Sequence, residues 1–272
     1  MKKLLFAISL FASWHLNAQL HVPDARAAAM GGAGITNSNA WSAYYNPAGL
    51  ADFKQFTASV HIENNFFTQN ALLQAATISY PTEFGTFAGY YSYYGFSAYN
   101  ENKISLVYGK KLGKYLRAGI ALDYFGINLA APYRGTNAIT GELGLQADLS
   151  KKWLLAVHFF NPFFAKYARF DDFYLPVVYK LGTAYQFSPD FLLIAELEKN
   201  LGSKEQFKIG AEYRLVPQVF VRAGFRTEVF VYTFGVGFKN QRMSADMGFE
   251  NHPQLGYTIK LSYTYSIFDI SE

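Results

Sequence analysis

Three polar residues with the side-chain types of a hydrolase active site lie close together in the sequence. Ser59, His61 and Glu63 alternate with other residues, so in a β-strand their side chains all point to one face. A serine, a histidine and an acidic residue make a catalytic triad, but a triad normally takes its members from different elements of the fold. Neighbours on one strand are better explained as polar residues of a barrel interior, and we expect no enzymatic activity.

Other kinds of chemical site have little support in the sequence. The chain contains no cysteine, which excludes disulfides and thiolate chemistry. Its histidines and carboxylates show no metal-ligand spacing, and no glycine-rich phosphate loop follows a strand and opens a helix. The formal net charge is +4, and two of the lysines, Lys2 and Lys3, lie in the N-terminal leader described next. We therefore predict no cofactor, no metal and no nucleic-acid partner.

The N-terminus has the order of regions found in a secretory signal peptide. A basic start is followed by an apolar stretch over residues 4–14, and Asn17, Ala18 and Gln19 close the segment. The apolar stretch is too short to span a bilayer as a helix. We predict a signal peptide over residues 1–18, a separate segment over residues 19–52 and a barrel over residues 53–272.

Composition and alternation indicate a transmembrane barrel. Hydrophobic residues make up 51% of the chain, aromatic residues 18% and charged residues only 16%. After residue 52 the apolar side chains alternate with polar ones, as in residues 207–215 and 257–267, which suits a wall with lipid on one face and a polar lumen on the other. The predicted fold is all-β: a transmembrane antiparallel β-barrel of about 14 strands with an N-terminal hatch-like segment.

Strand parity and loop length predict the orientation of the barrel. An even strand number places both chain ends on the periplasmic side, where six short turns also fall. Two longer connections, residues 126–138 and 161–175, are expected outside the cell. Residues 180–189 and 208–217 share a Lys-x-Gly-x-x-Tyr-x-x-x-Pro pattern, which indicates repeated hairpins that end in a proline turn.

The alternation also places charged side chains in the lumen, because Lys or Arg near the middle of the lipid face would cost roughly 2–4 kcal/mol each. They either form a polar conduction path or an ion-paired interior that fills the barrel, and their mixed signs favour the second. The predicted lumen charges are Glu63, Arg117, Asp123, Glu142, Lys208, Glu212, Arg214, Arg222, Asp246 and Lys260.

An aromatic outer loop is the remaining candidate site. It contains Phe163, Phe164, Tyr167, Phe170 and Phe173. Aromatic girdles at the membrane interface explain many such rings. The loop is too long for a girdle alone, so a contact surface for a partner or a hydrophobic ligand is the alternative.

The segment before the barrel resembles a known family. Its Ala-Arg-x-x-Ala-Met-Gly-Gly-Ala stretch, the later Asn-Pro-Ala-Gly-Leu motif and the barrel that follows are similar to the FadL superfamily, and within it to the PorV/PorQ-like branch of type IX secretion. The resemblance covers residues 20–272 and implies that residues 20–52 form a hatch inside the barrel. The motif residues concerned are Met30, Gly31, Gly32, Asn46, Pro47, Ala48 and Gly49.

The resemblance implies an integral protein of a Gram-negative outer membrane, surrounded by outer-membrane lipid. The PorV/PorQ-like branch implies an accessory or docking barrel with secretion-machinery or cargo proteins as partners. The superfamily's transporters imply the alternative, passage of a hydrophobic small molecule. The outer loops here are shorter than those of long-chain fatty-acid transporters, which favours the docking role.

Overall fold

The chain forms a closed barrel of fourteen antiparallel strands, as predicted. The computed structural model describes residues 21–68, 72–168, 174–227 and 229–269, so the predicted signal peptide lies outside the described residues. Each strand pairs with its neighbours in sequence, and β14 pairs with β1 to close the ring. The strands are β1 (Gln55–Asn64), β2 (Leu72–Thr82), β3 (Gly85–Phe96), β4 (Tyr99–Lys111), β5 (Leu116–Leu129), β6 (Thr136–Asp148), β7 (Trp153–Phe160), β8 (Val178–Ser188), β9 (Phe191–Asn200), β10 (Gln206–Val216), β11 (Val219–Arg226), β12 (Val231–Lys239), β13 (Met243–His252) and β14 (Gly256–Asp269).

The two faces of the wall differ in the way that the alternation predicts. Along β4, Ile104 and Leu106 are exposed on the outside, Leu106 by 68%, while Lys103 and Ser105 are buried on the inside. Successive side chains of a strand point to opposite faces, so each strand contributes apolar residues to the exterior and polar residues to the lumen. The exterior is therefore an apolar band suited to lipid.

Connections at the two ends of the barrel differ in length. The end at which β1 begins and β14 ends has short turns between strands, and we call it the short-turn end; the opposite end is the long-loop end. At the long-loop end, residues 161–177 connect β7 to β8, which is two residues longer than the predicted connection over residues 161–175. The connection predicted over residues 126–138 is wrong in extent: β5 and β6 continue as a paired ladder to Ile127 and Thr136, which leaves a loop of residues 130–135. The polar and glycine residues there remain compatible with strand pairing.

The repeated hairpin pattern has a structural counterpart. Strands β8 and β10 each carry a register irregularity just before the proline turn, next to Ser188 in β8 and next to Val216 in β10. A bulge inserts one extra residue on one strand and increases the local twist. The two matching sequence stretches thus bend their strands at equivalent positions of the short-turn end.

Residues 21–54 form an N-terminal segment inside the barrel. It contains the helices α1 (Ala25–Ala29) and α2 (Ser42–Tyr45) and a 3₁₀-helix, Pro47–Asp52; a further 3₁₀ turn, Asn65–Phe67, follows β1. Helix α1 contacts β11 to β14, and the 3₁₀-helix contacts β3 to β6 on the other side of the ring. A segment that touches both sides must cross the lumen. None of the described helices is long and apolar enough to cross a bilayer.

Candidate functional site

The Asn-Pro motif fixes one half of the N-terminal segment against the wall. The side chain of Asn46 is fully buried; its Oδ1 accepts from the backbone N–H of Ala48 at 3.1 Å, and its Nδ2 donates to the carbonyl of Ile35 at 3.0 Å. Nδ2 also lies 3.3 Å from carbonyl oxygens of Leu145 and Val157 in the wall. One amide therefore caps the 3₁₀-helix and holds the segment to strands β6 and β7.

The Met-Gly-Gly motif fixes the other half. Gly31 has a positive φ of 71°, which glycine adopts without strain, and its N–H donates to Thr233 Oγ1 at 2.8 Å. The wall opposite is also glycine: a Cβ added to Gly224 would lie 2.1 Å from Gly31 N, and one added to Gly210 would lie 2.3 Å from Met30 Cβ. The segment packs backbone against backbone at this patch.

Equivalent glycines receive the Asn-Pro motif on the opposite wall. A Cβ added to Gly119 would lie 2.3 Å from the carbonyl carbon of Pro47, and one added to Gly144 would lie 2.0 Å from Asn46 Oδ1. The sequence hypotheses missed these wall glycines. Their signal is a glycine at a lumen-facing strand position, which often marks a close backbone approach.

Charged groups add to the attachment of the segment. Arg26 donates to both carboxylate oxygens of Glu212 at 2.8 Å, and it was absent from the predicted charges. Asp24, which accepts from the backbone N–H of Arg26, is buried next to Asp246. Burial first, and then the charge of Asp246, raise the pKa of Asp24 to about 6, while the Arg26 and Arg222 cations oppose that shift. A lone arginine in an alanine-rich stretch is the signal that points to Arg26.

The predicted lumen charges lie in clusters of ion pairs. On one wall Lys103 Nζ is 2.6 Å from Glu142 and 3.5 Å from Asp123, and His158 Nε2 is 2.8 Å from Glu142. The other close pairs are Lys260 with Glu63 and Glu250 (3.2 Å each), Lys208 with Glu198 (2.6 Å) and Glu196 (3.1 Å), Arg222 with Glu212 (2.6 Å) and Asp246 (2.8 Å), and Arg117 with Asp52 and Asp148. The lumen is filled by paired charges around the segment.

Arg214 differs from the other predicted lumen charges. It pairs with Asp190 at 2.6 Å in the neighbouring turn, and its side chain is 37% exposed. The alternation places it on the inner face, but β10 reaches the short-turn end at this residue. Arg214 is therefore a mouth residue and lies outside the buried clusters.

Ser59, His61 and Glu63 share a lumen face without forming a triad. Ser59 Oγ pairs with Thr264 Oγ1 at 2.8 Å, and His61 Nδ1 pairs with Ser262 Oγ at 2.9 Å. His61 Nε2 lies 3.4 Å from Glu63. The serine therefore bonds across to β14 instead of to the histidine base. Across the described residues, no group of three histidine or acidic side chains is placed to hold a metal ion.

An aromatic pocket lies at the long-loop end of the lumen, above the N-terminal segment. Four rings surround the ammonium group of Lys103, with centroids 5.0 to 5.8 Å from Nζ: Tyr44, Tyr90, Phe125 and Phe160. The cavity among them has a volume of about 50 Å³. The rings present apolar surface to this cavity, and the ammonium group makes a cation–π contact with each of them.

The aromatic outer loop divides into two parts. Tyr167 is 4% exposed and packs with Leu175 over the aromatic pocket, whereas Phe163 is 74% exposed and Phe164 is also exposed. The predicted contact residues Phe170 and Phe173 lie outside the described residues. The loop thus covers the pocket with one part and presents rings outward with the other.

A second, larger cavity opens at the short-turn end. We call this space of about 720 Å³ the vestibule; the turns around residues 150–154 and 239–244 surround it, and residues 36–41 of the N-terminal segment form its inner boundary. Among the described residues, none lines both the vestibule and the aromatic pocket. The N-terminal segment and the paired charges lie between the two cavities.

The architecture of this chain is similar to that of several solved structures. The toluene transporter TbuX of Ralstonia pickettii superposes with a TM-score of 0.69 at 14% identity, over 89% of this chain and 97% of that one. The monoaromatic hydrocarbon channel CymD gives 0.67 at 13% identity, over 92% and 98%. A FadL homologue of Pseudomonas aeruginosa gives 0.64 at 12% identity, over 92% and 99%.

The fold is that of the FadL-type outer-membrane barrels. No protein-family model matches the sequence, and no curated protein matches it either. At 12–14% identity the structural likeness concerns the fold alone. What passes through or binds to the barrel depends on the residues of its own lumen and loops.

Proposed function

We propose that this chain is an integral outer-membrane channel for small hydrophobic molecules. The observation that carries the proposal is the aromatic pocket at the long-loop end, placed directly above a segment that crosses the lumen. These rings present apolar surface to a cavity inside the lumen, and apolar cavities with a few polar groups are typical binding sites for small molecules. The fold of hydrocarbon transporters supports the same function.

In this mechanism the aromatic pocket binds the hydrophobic molecule, and the N-terminal segment controls its passage to the vestibule. An apolar molecule enters from the long-loop end past Leu175 and exchanges water for contact with Phe125 and Phe160. The N-terminal segment then acts as a hatch, since it separates the pocket from the vestibule. Its attachment by hydrogen bonds, close glycine contacts and the ion pairs of Arg26 and Asp52 allows it to be released as a unit without breaking the barrel ladder.

Uptake of labelled toluene tests the channel. Gram-negative cells with an intact lipopolysaccharide leaflet, expressing the full chain, should take up toluene faster than cells with an empty vector. Phe125→Ala with Phe160→Ala removes two pocket rings that pack edge to face at 5.7 Å, and should raise the half-saturating toluene concentration about tenfold. Phe84→Ala, on an exposed ring at the short-turn end, is the matched control. Uptake equal to the empty vector would refute the channel.

A docking role in type IX-like protein secretion is the second candidate. The exposed rings of Phe163 and Phe164 favour it, because such rings are typical of contact surfaces. Affinity purification of the tagged barrel from outer membranes, with mass spectrometry of co-purified proteins, tests this role. Recovery of secretion components that Phe163→Ser with Phe164→Ser abolishes would support docking, and a barrel that purifies alone would count against it.

A further inference from the structure

We infer that the vestibule is a binding site for a small organic anion with an apolar body, such as an aromatic carboxylate. The inference goes beyond the proposed function, since it concerns the opposite end of the barrel and a different chemical class. It rests on three features of the vestibule: its free cations, its neutralised acids and its apolar inner wall.

The free cations lie around the opening. Five exposed basic side chains line the vestibule and form no ion pair with any side chain in the described part of the chain: Lys54, Lys151, Lys152, Lys239 and Arg242. Lys152 Nζ has only a 3.5 Å contact with the carbonyl of Phe187. Like charges around a common opening repel one another, and an anion between them relieves that repulsion.

The acidic groups of the vestibule are already engaged. Glu212 and Asp246 both pair with Arg222, and Asp52 and Asp148 both pair with Arg117. The fifth, Asp24, accepts from the backbone of Arg26 and from the Asn39 amide. The field at the opening is therefore positive, and in a cleft with low-dielectric walls such a field concentrates anions.

The apolar side chains of the vestibule's inner wall indicate that the anion also carries an apolar group. Leu154, Leu192 and Phe220 line the vestibule and stay only half-buried although they face the lumen. Apolar surface left in contact with water inside a barrel gains free energy when a ring covers it. A volume of about 720 Å³ lies in the range of small-molecule pockets. The fitting molecule places its ring on these side chains and its carboxylate among the lysines.

Binding of 4-fluorobenzoate to the purified full-length barrel in a non-ionic detergent tests the site by ¹⁹F NMR. The wild type should bind 4-fluorobenzoate more tightly than 4-fluorotoluene, which has the ring without the charge, and benzoate should displace the probe better than acetate. High salt should weaken binding, because the cations are exposed. Equal binding of the charged and uncharged probes, or equal displacement by acetate, would overturn the inference.

Rim variants locate the site. Lys151→Gln with Lys152→Gln, and separately Lys239→Gln with Arg242→Gln, should each weaken 4-fluorobenzoate binding about fivefold, since each removes two attractions across water. Lys110→Gln with Lys114→Gln, at the end of β4 and in the turn that follows it, is the matched control, since neither residue lines the vestibule, and should bind like the wild type. A control as weak as the rim variants would place the anion elsewhere. The toluene uptake assay is independent, so either conclusion can fail alone.

Discussion

The guanidinium of Arg26 and the carboxylate of Glu212 form a bidentate ion pair that joins the N-terminal segment to strand β10. Nε to Oε2 and Nη2 to Oε1 both measure 2.8 Å. Glu212 also accepts from Arg222, which in turn pairs with Asp246 on β13. The segment is thereby tied into a charge network that spans several strands, and the same network forms part of the vestibule wall.

Replacing Arg26 with glutamine should loosen the segment while leaving the barrel folded. A hydrogen-bonded charge contributes about 1.5–3 kcal/mol, so the segment should be released at least about tenfold more often. The chain has no cysteine, and a probe at buried Ala33 (Ala33→Cys) reports release through its maleimide labelling rate. Lys199→Gln, which breaks the exposed pair with Glu205, is the control. Labelling that Arg26→Gln leaves unchanged would contradict the attachment.

The wall glycines should tolerate no side chain where the segment approaches. Gly224→Val places its side chain on Gly31 N, where even a Cβ would lie 2.1 Å away, so the segment must leave its position. We expect fast labelling of Ala33→Cys in this variant with an unchanged heat-modifiable shift of the barrel on electrophoresis. Gly202→Ala has open space around it and should behave as wild type. Slow labelling in Gly224→Val would show that the segment can keep its position beside a side chain at residue 224.

The strand pattern could be predicted because it depends on local chemistry. Alternation along residues such as Ile104, Ser105 and Leu106 determines which face meets lipid, and the turns carry their own proline and glycine signals. The extent of the loop between β5 and β6 was overestimated, since nothing in residues 126–129 and 136–138 forbids continued strand structure.

The lumen contacts could be predicted only in part. Alternation places Lys103 and Glu142 on the inner face, but they lie 39 positions apart, and their pairing depends on the barrel's closure and register. Arg26 lies outside any strand, so alternation says nothing about it. The aromatic pocket combines Tyr44 from the segment with rings from several strands, and only the folded chain brings them together.

Removing the cation of the aromatic pocket should destabilise the barrel strongly. Lys103→Leu leaves the buried carboxyl groups of Glu142 and Asp123 without their ammonium partner, and losing one partner of a buried pair costs about 3–5 kcal/mol. Adding Glu142→Gln should restore part of the loss, because it removes the carboxyl group that Lys103 approaches most closely. Guanidinium unfolding in detergent measures both. Equal stability of Lys103→Leu and the exposed-site control Lys110→Leu would contradict the pairing.

Acidification should hold the segment more firmly in place. Asp24 has a pKa of about 6 in the folded barrel, against an ordinary value of 3.8, so between these values the seated segment binds a proton that the released one does not. Raising the pH through this window therefore favours release. The labelling rate of Ala33→Cys is divided by that of the exposed Gly202→Cys, which corrects for the pH dependence of thiol reactivity itself. This ratio should be higher at pH 7.5 than at pH 5. Asp24→Asn, which keeps the helix cap, should remove the pH dependence of this ratio. A ratio that is independent of pH when Asp24 is present would refute the prediction.

The most direct test of gating is a tether between the segment and the wall. A Cβ added to Gly182 would lie 3.0 Å from Ile35 Cγ1 and Cδ1, so Ile35→Cys with Gly182→Cys brings two thiols within reach of a disulfide in a chain with no other cysteine. Oxidation should abolish the toluene uptake attributable to the barrel, and reduction should restore it, while the uptake of either single variant should not respond to oxidation or reduction. Undiminished uptake through the fully oxidised barrel would show that the hydrophobic path does not require release of the N-terminal segment.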